Sequence, residues 1–240
     1  MDDPLPGQKF IDGAFLLVNK PKSWTSFDVV NKIRSSLKQS LGIKKIKVGH
    51  AGTLDPMATG LLIICTGKMT KKLSNYQGLD KTYTGVITLG ATTASYDAEC
   101  EPENVLPLDE LTEEAIEEAR KSFIGDLMQL PPIYSAIKVD GQPLYKQARA
   151  GKKVTVEPRP VTIHEFEITQ INLPEIHFKV RCSKGTYIRS LAHDFGQKLG
   201  VGGYLTELTR TAIGKFKLED AWELEALIDH IESISPTVNS

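Results

Sequence analysis

The sequence is poor in residues that would staple a fold or anchor it elsewhere. Its three cysteines, Cys65, Cys100 and Cys182, stand far apart, and none belongs to a CxxC pair. That excludes a zinc site built on paired cysteines and predicts free thiols in a reducing compartment. No apolar run approaches the roughly 18 residues that a membrane span needs. The opening residues, MDDPLPGQKF, lack the basic flank and apolar stretch of a secretory leader. The expected location is the cytoplasm, with no membrane partner. There is no GxxxxGK[ST] or GxGxxG element to hold a nucleotide cofactor. His50, His164, His177, His193 and His230 lack tight ligand spacing, so neither a metal nor any other cofactor is expected.

Charge is also scarce in total, at a net −1, but its distribution is uneven. Residues 1–81 carry thirteen Lys or Arg against six Asp or Glu, and residues 138–217 carry fourteen against seven. The stretch 97–118 holds ten acids and no base, and six more acids follow Lys217. A polyanion-binding face can hide under such a neutral sum. Solvated acidic helices beside scattered bases would give the same totals.

What is present is alternating strand and helix patterning. GAFLLV (13–18) reads as a buried strand. Thr25-Ser26 reads as the cap of a helix carrying Phe27, Val29, Val30, Ile33 and Leu37. The glycine-rich stretch 48–60 reads as an ordered loop, and LLIIC (61–65) as a strand buried on both faces. Thr70 is expected to cap a short helix through Tyr76. Strands are expected over 81–92, 161–173 and 175–183. Helices are expected over 111–123, capped at Thr112, and over 186–199, ended by Gly200. The stretch 205–216 reads as a turn and strand, and 218–232 as a final helix. Residues 124–154, rich in Pro, Gly and Lys, read as an insertion with a short helix near 144–150. Elements interleaved without βαβ regularity predict an α+β (mixed α/β) domain around a largely antiparallel sheet.

The densest candidate chemistry is Gly49-His50-Ala51-Gly52-Thr53-Leu54-Asp55-Pro56. Glycines let a backbone approach a ligand closely, and a proline fixes the turn after the acid. The residue types alone also allow a loop histidine bonded to backbone and an Asp serving as a turn cap. A hydrolase with paired carboxylates would need a second acid, for which Asp97 and Asp194 are available.

The segment GHAGTLDPMATG (49–60) resembles the catalytic motif G-H-x-G-T-L-D-P-x-A-x-G of the tRNA pseudouridine synthase B family at every fixed position. Three further segments agree in order. Lys20-Pro21-Lys22-Ser23-Trp24-Thr25-Ser26 resembles K-P-x-G-x-T-S. Lys81-Thr82-Tyr83 matches K-x-Y. Ser183-Lys184-Gly185-Thr186-Tyr187-Ile188-Arg189 matches S-x-G-T-Y-I-R. The resemblance implies an isomerase that turns uridine 55 in the T-loop of tRNA into pseudouridine, without cofactor, guide RNA or protein partner. It implies the pseudouridine synthase catalytic fold, with flanking helices and a thumb-like insertion at 124–154 that clamps RNA. Asp55 would be the catalytic aspartate, and Arg189 would pair with it. Tyr83 would pack on the target base. His50 would stack on or near the flipped nucleotide, Tyr187 and Leu208 would line the base pocket, and Lys20 and Pro21 would lie beside substrate. Lys152 and Lys153 of the insertion would meet phosphates. For Asp55, attack on the sugar, addition to the base and removal of the C2′ proton are all compatible with that place.

Two departures stand out. Ser23 occupies the usual glycine position, in a turn expected to support the catalytic loop. Thr93-Ala94-Ser95-Tyr96-Asp97 keeps only the last acid of the family's Thr-Asp-Thr-x-Asp. The chain is expected to be a single catalytic domain over 1–240, without the C-terminal PUA-type RNA-binding module of many relatives. An RNA-folding protein with incidental catalysis and a guide-dependent synthase are the rival readings.

Overall fold

Thr25 starts the longest helix because it satisfies two orphan donors at once. Its hydroxyl accepts from the Asp28 backbone N–H, and the Asp28 carboxylate accepts from the Thr25 N–H. The computed structural model describes residues 6–135, 138–139, 142–143 and 156–234. The expected helix near 144–150, Lys152 and Lys153 fall outside them. The chain forms two compact units, residues 1–81 with 209–240, and residues 82–208.

The first unit contains α1 (Pro6–Gly13), β1 (Phe15–Lys20), α2 (Ser26–Ser40), β2 (Val48–Ala51), β3 (Thr59–Thr66) and α3 (Leu73–Gln77). Its later part brings β11 (Phe216–Lys217), β12 (Trp222–Glu223) and α6 (Leu224–Glu232). β3 runs antiparallel to both β1 and β2. It pairs in parallel with residues 209–210 of β10 (Gly203–Ile213), and β1 pairs in parallel with β12. Period-2 geometry splits the LLIIC run between two cores. Leu62 and Ile64 pack with Val29, Ile33 and Leu37 of α2 and Leu227 and Ile231 of α6. Leu61, Ile63 and Cys65 pack with Ala51 and Ile213.

The second unit contains residues 82–89 of β4 (Lys81–Leu89), then α4 (Glu113–Lys121), β5 (Gly125–Gln129), β8 (Arg159–Asn172), β9 (Glu175–Cys182) and α5 (Ile188–Lys198). A two-stranded ribbon, β6 (Lys138–Val139) with β7 (Gln142–Pro143), lies between β5 and β8 in sequence. Its sheet order is β10, β4, β9, β8, β5, and β9 and β5 both run antiparallel to β8. Phe123, Phe166, Phe178 and Phe195 meet in successive edge-on contacts that tie α5 to the sheet. The result is a mixed, mostly antiparallel α+β fold. No helix among the described residues is long and apolar enough to cross a membrane.

Five expectations change. Residues 48–51 are a strand, held by main-chain pairing with β3 rather than by a side-chain pattern. Thr70 caps nothing: its hydroxyl donates to the Gly67 carbonyl inside a 3-10 turn, and α3 starts later, at Leu73. β10 is one unbroken strand over Gly203–Ile213, where a turn and strand were expected. The stretch 218–232 is a 3-10 turn, then β12, and only then a helix from Leu224. Residues 125–129, at the start of the expected insertion, pair along β8 as β5.

Candidate active site

Asp55 sits half-buried in the connection from β2 to β3, and the backbone on both sides of it is tied down. Asp55 through Ala58 close a turn in which the Ala58 N–H donates to the Asp55 carbonyl at 3.1 Å. Asp, then Pro at the next position, is what such a turn favours. Before the aspartate, the Leu54 N–H donates to Ser26 Oγ at 2.9 Å, and that hydroxyl donates back to the Leu54 carbonyl. After it, the Pro56 carbonyl accepts from the Ser23 N–H at 2.8 Å and from Lys20 Nζ at 3.4 Å. Arg210, only 1% exposed, reaches the loop from β10. It donates to the carbonyls of Gly52 (3.1 Å) and Leu61 (2.8 Å). Gly60, at φ +108, lies against the Arg210 backbone, where a Cβ would collide.

Ser23 reports how the departure from glycine is accommodated. It keeps the left-handed conformation, at φ 70, and still holds Pro56. An L-residue there carries a strain of roughly 1 kcal/mol that glycine escapes. Ser23→Gly is expected to raise the unfolding free energy by about 0.5–1 kcal/mol in urea titrations, without loss of activity.

The electrostatics of this loop rest on two buried cations. Lys20 is fully buried, and its ammonium donates to the carbonyls of Trp24 (2.6 Å), Pro21 (2.9 Å) and Pro56. Burial lowers its pKa to about 8, against the upward pull of the Asp55 carboxylate, while Arg210 adds to the fall. His50, on β2 opposite Ile64, is also pushed down, mainly by burial. It is therefore a neutral imidazole at pH 7, suited to stacking rather than ion pairing.

The shift of Lys20 has a testable sign. Between pH 8 and 10.5 the unfolded chain holds a proton that the folded chain has released, so stability should rise with pH through that window. Activity should move the other way, because the neutral amine has two N–H donors for three carbonyls and no charge to set against Asp55. A single-turnover rate profile is expected to show an alkaline limb near pH 8. Lys20→Met should lower the rate at least tenfold at neutral pH and erase the limb. A limb that persists in the variant would assign it to another group.

The second unit holds the other expected residues. Tyr83 on β4 and Leu208 on β10 are each 8% exposed. Tyr187 directly precedes α5, and the Gln129 side chain clamps its main chain, donating to its carbonyl (3.0 Å) and accepting from its N–H (2.8 Å). Arg189, the second residue of α5, is buried. Its guanidinium faces Asp97, with Nη1 3.4 Å from Oδ2. It also donates to the carbonyls of Tyr134 (2.9 Å) and Ser95 (3.3 Å). Asp97 is fully buried, and its other oxygen accepts from Ser95 Oγ (2.6 Å) and the Glu99 N–H (3.0 Å). Tyr96, next to it, stacks on His193 at 3.8 Å between ring centroids.

The structure thus groups Lys20, Pro21, His50 and Asp55 in the first unit and Tyr83, Tyr187, Arg189 and Leu208 in the second. Sequence reasoning missed Ser26, Arg210 and Gln129 as supports. Asp97 had a signal, as the acid that survives in the 93–97 segment.

Known proteins resemble this chain along nearly its whole length. Residues 38–188 match the model for the TruB family pseudouridylate synthase N-terminal domain. Residues 189–237 match the model for the tRNA pseudouridylate synthase B C-terminal domain. The tRNA pseudouridine synthase B of Flavobacterium johnsoniae is 53% identical over 218 residues, covering 90% of this chain and 95% of its own. That of Chlorobaculum tepidum is 52% identical, covering 92% and 91%. Among solved structures, a chain of a Cbf5-Nop10-Gar1 complex superposes with a TM-score of 0.70 at 29% identity, covering 93% of this chain but 56% of its own. A chain of an H/ACA RNP bound to a substrate RNA containing 2′-deoxyuridine gives 0.65 at 26% identity, covering 95% of this chain and 59% of its own. This chain therefore spans little more than half of those two.

Proposed function

The chain belongs to the TruB family of pseudouridylate synthases, and we propose that it converts uridine 55 in the T-loop of tRNA to pseudouridine, acting alone in the cytoplasm. The relatives that share about half its residues over nine-tenths of their length are tRNA pseudouridine synthases. The observation that carries the reading is the anchoring of Asp55: main-chain groups on both sides of this carboxylate are held by Ser23, Ser26, Lys20 and Arg210. A loop braced so closely around one acid suits a group that must meet a reacting atom in one geometry.

The reaction is an isomerisation and consumes no co-reactant. The C1′–N1 bond breaks, the uracil turns, C5 joins C1′, and the proton on C5 leaves for solvent as N1 gains one. A uridine stacked in a folded loop must first be extruded. Tyr83, Tyr187 and Leu208 would replace the stacking that it loses, with the neutral His50 on or near the displaced nucleotide. Asp55 would act at the glycosidic bond, and Arg189 would serve as a positioning residue for that chemistry. Lys20 and Pro21 would brace the substrate side of the loop, and Lys152 and Lys153 would meet phosphates.

The test uses the purified protein alone and an unmodified tRNA transcript, read by carbodiimide-primer extension. One stop, at the T-loop uridine, is expected. No stop overturns the reading, and a stop that needs an added guide RNA replaces it with the guide-dependent one.

A further inference from the structure

An open groove of about 560 Å³ lies in the first unit where α2 gives way to β2, lined by Arg34, Lys38, Lys44, Lys45, Ile46 and Lys47. Five of its six lining residues are cationic. Residues 29–54 hold six Lys or Arg and no Asp or Glu, the longest acid-free basic stretch near the catalytic motif. Some bases elsewhere have carboxylate partners: Lys121 has Glu118, Arg181 has Glu165, and Lys217 has Glu219. Among the described residues, Lys38, Lys44, Lys45 and Lys47 have none. Arg34 is fixed in orientation, donating to Asn31 Oδ1 (2.7 Å) and to the Val48 carbonyl (3.0 Å). Like charges gathered without counter-charges repel one another, and a ligand of opposite sign relieves that repulsion.

We infer that this groove is a contact site for the phosphate backbone of the substrate RNA, away from the reacting base. The inference rests on the function proposed above. β2 leads straight from Lys47 at the groove to His50, and a strand rise of ~3.3 Å per residue puts the two ~10 Å apart. That is a separation of one or two nucleotides along a backbone, so a strand or stem that delivers a base to the catalytic loop can run over the groove. The lysines present point charges on flexible stems, suited to phosphates and carrying no base readout.

The experiment compares the wild type with Lys44→Gln/Lys45→Gln/Lys47→Gln. All three side chains are exposed. Arg34 is left in place because its guanidinium holds the start of β2. Affinity for a tRNA transcript is measured by filter binding from low salt to about 0.5 M KCl. The plot of log K against log salt should become shallower by roughly 2 for three lost phosphate contacts, with the two lines converging at high salt. Parallel lines, whether coincident or displaced, overturn the assignment, because a merely damaged fold would weaken binding equally at every salt. Poly-glutamate is the comparison probe. If the variant loses poly-glutamate binding while its RNA slope is unchanged, the groove belongs to an acidic protein instead. A wild type that binds tRNA with a steep slope but forms no pseudouridine sinks the proposed function and leaves this inference standing. Parallel lines with an active enzyme do the reverse.

Discussion

Asp55→Asn is expected to reduce pseudouridine formation by at least about 10⁴-fold while leaving affinity for tRNA within about threefold. The asparagine has nearly the same shape, and the main-chain bonds that hold the loop do not use the carboxylate. What disappears is the charge and basicity that any of the three candidate chemistries requires: attack, addition or proton removal. Affinity should survive because it is spread over many phosphate contacts. A second readout lies in Lys20. The Asp55 carboxylate pulls its pKa upward, so removing that charge should let it fall below about 8. The stability gain with rising pH should then begin at a lower pH than in the wild type. Turnover by the variant within a hundredfold of the wild type would remove Asp55 from its role. Retained tRNA refolding in an inactive variant would establish a second, non-catalytic activity.

Legibility in the sequence followed the kind of interaction. The LLIIC run was legible as a buried strand because hydrophobic burial on both faces leaves a continuous apolar signature. The helix start at Thr25 was legible because a cap is local chemistry. β2 was not, since two of its four residues are Gly49 and His50 and its pairing to β3 is main-chain only. β12 is two residues long, too short to carry any period, so residues 218–232 read as one helix. The same division holds at the site. Asp55 and His50 stand in a motif, but Arg210 and Gln129 act on backbone carbonyls and N–H groups, which any suitably placed donor or acceptor could serve. Such contacts tie residues far apart in the chain, 158 positions for Arg210 and Gly52, and impose no spacing on the sequence.

Arg189→Ala is expected to destabilise the protein by about 3–5 kcal/mol and to cost most of the activity, and the two effects can be separated. The fully buried Asp97 carboxylate faces the Arg189 guanidinium, and removing only the arginine leaves a buried charge uncompensated. Arg189→Lys should recover part of the stability. One ammonium cannot serve Asp97, the Tyr134 carbonyl and the Ser95 carbonyl with the planar fork that the guanidinium offers. The decisive variant replaces both charges, Arg189→Met with Asp97→Leu. Swapping a buried ion pair for apolar groups of similar size is often neutral for stability, so much of the loss in urea midpoint should return. Activity should not return with it if Arg189 is a positioning residue for the reacting group. Measured at saturating enzyme, the single-turnover rate of the double variant should remain at least about 10²-fold below the wild type, at a temperature where both are folded. A double variant that regains both stability and rate would make the pair a purely structural element of the second unit.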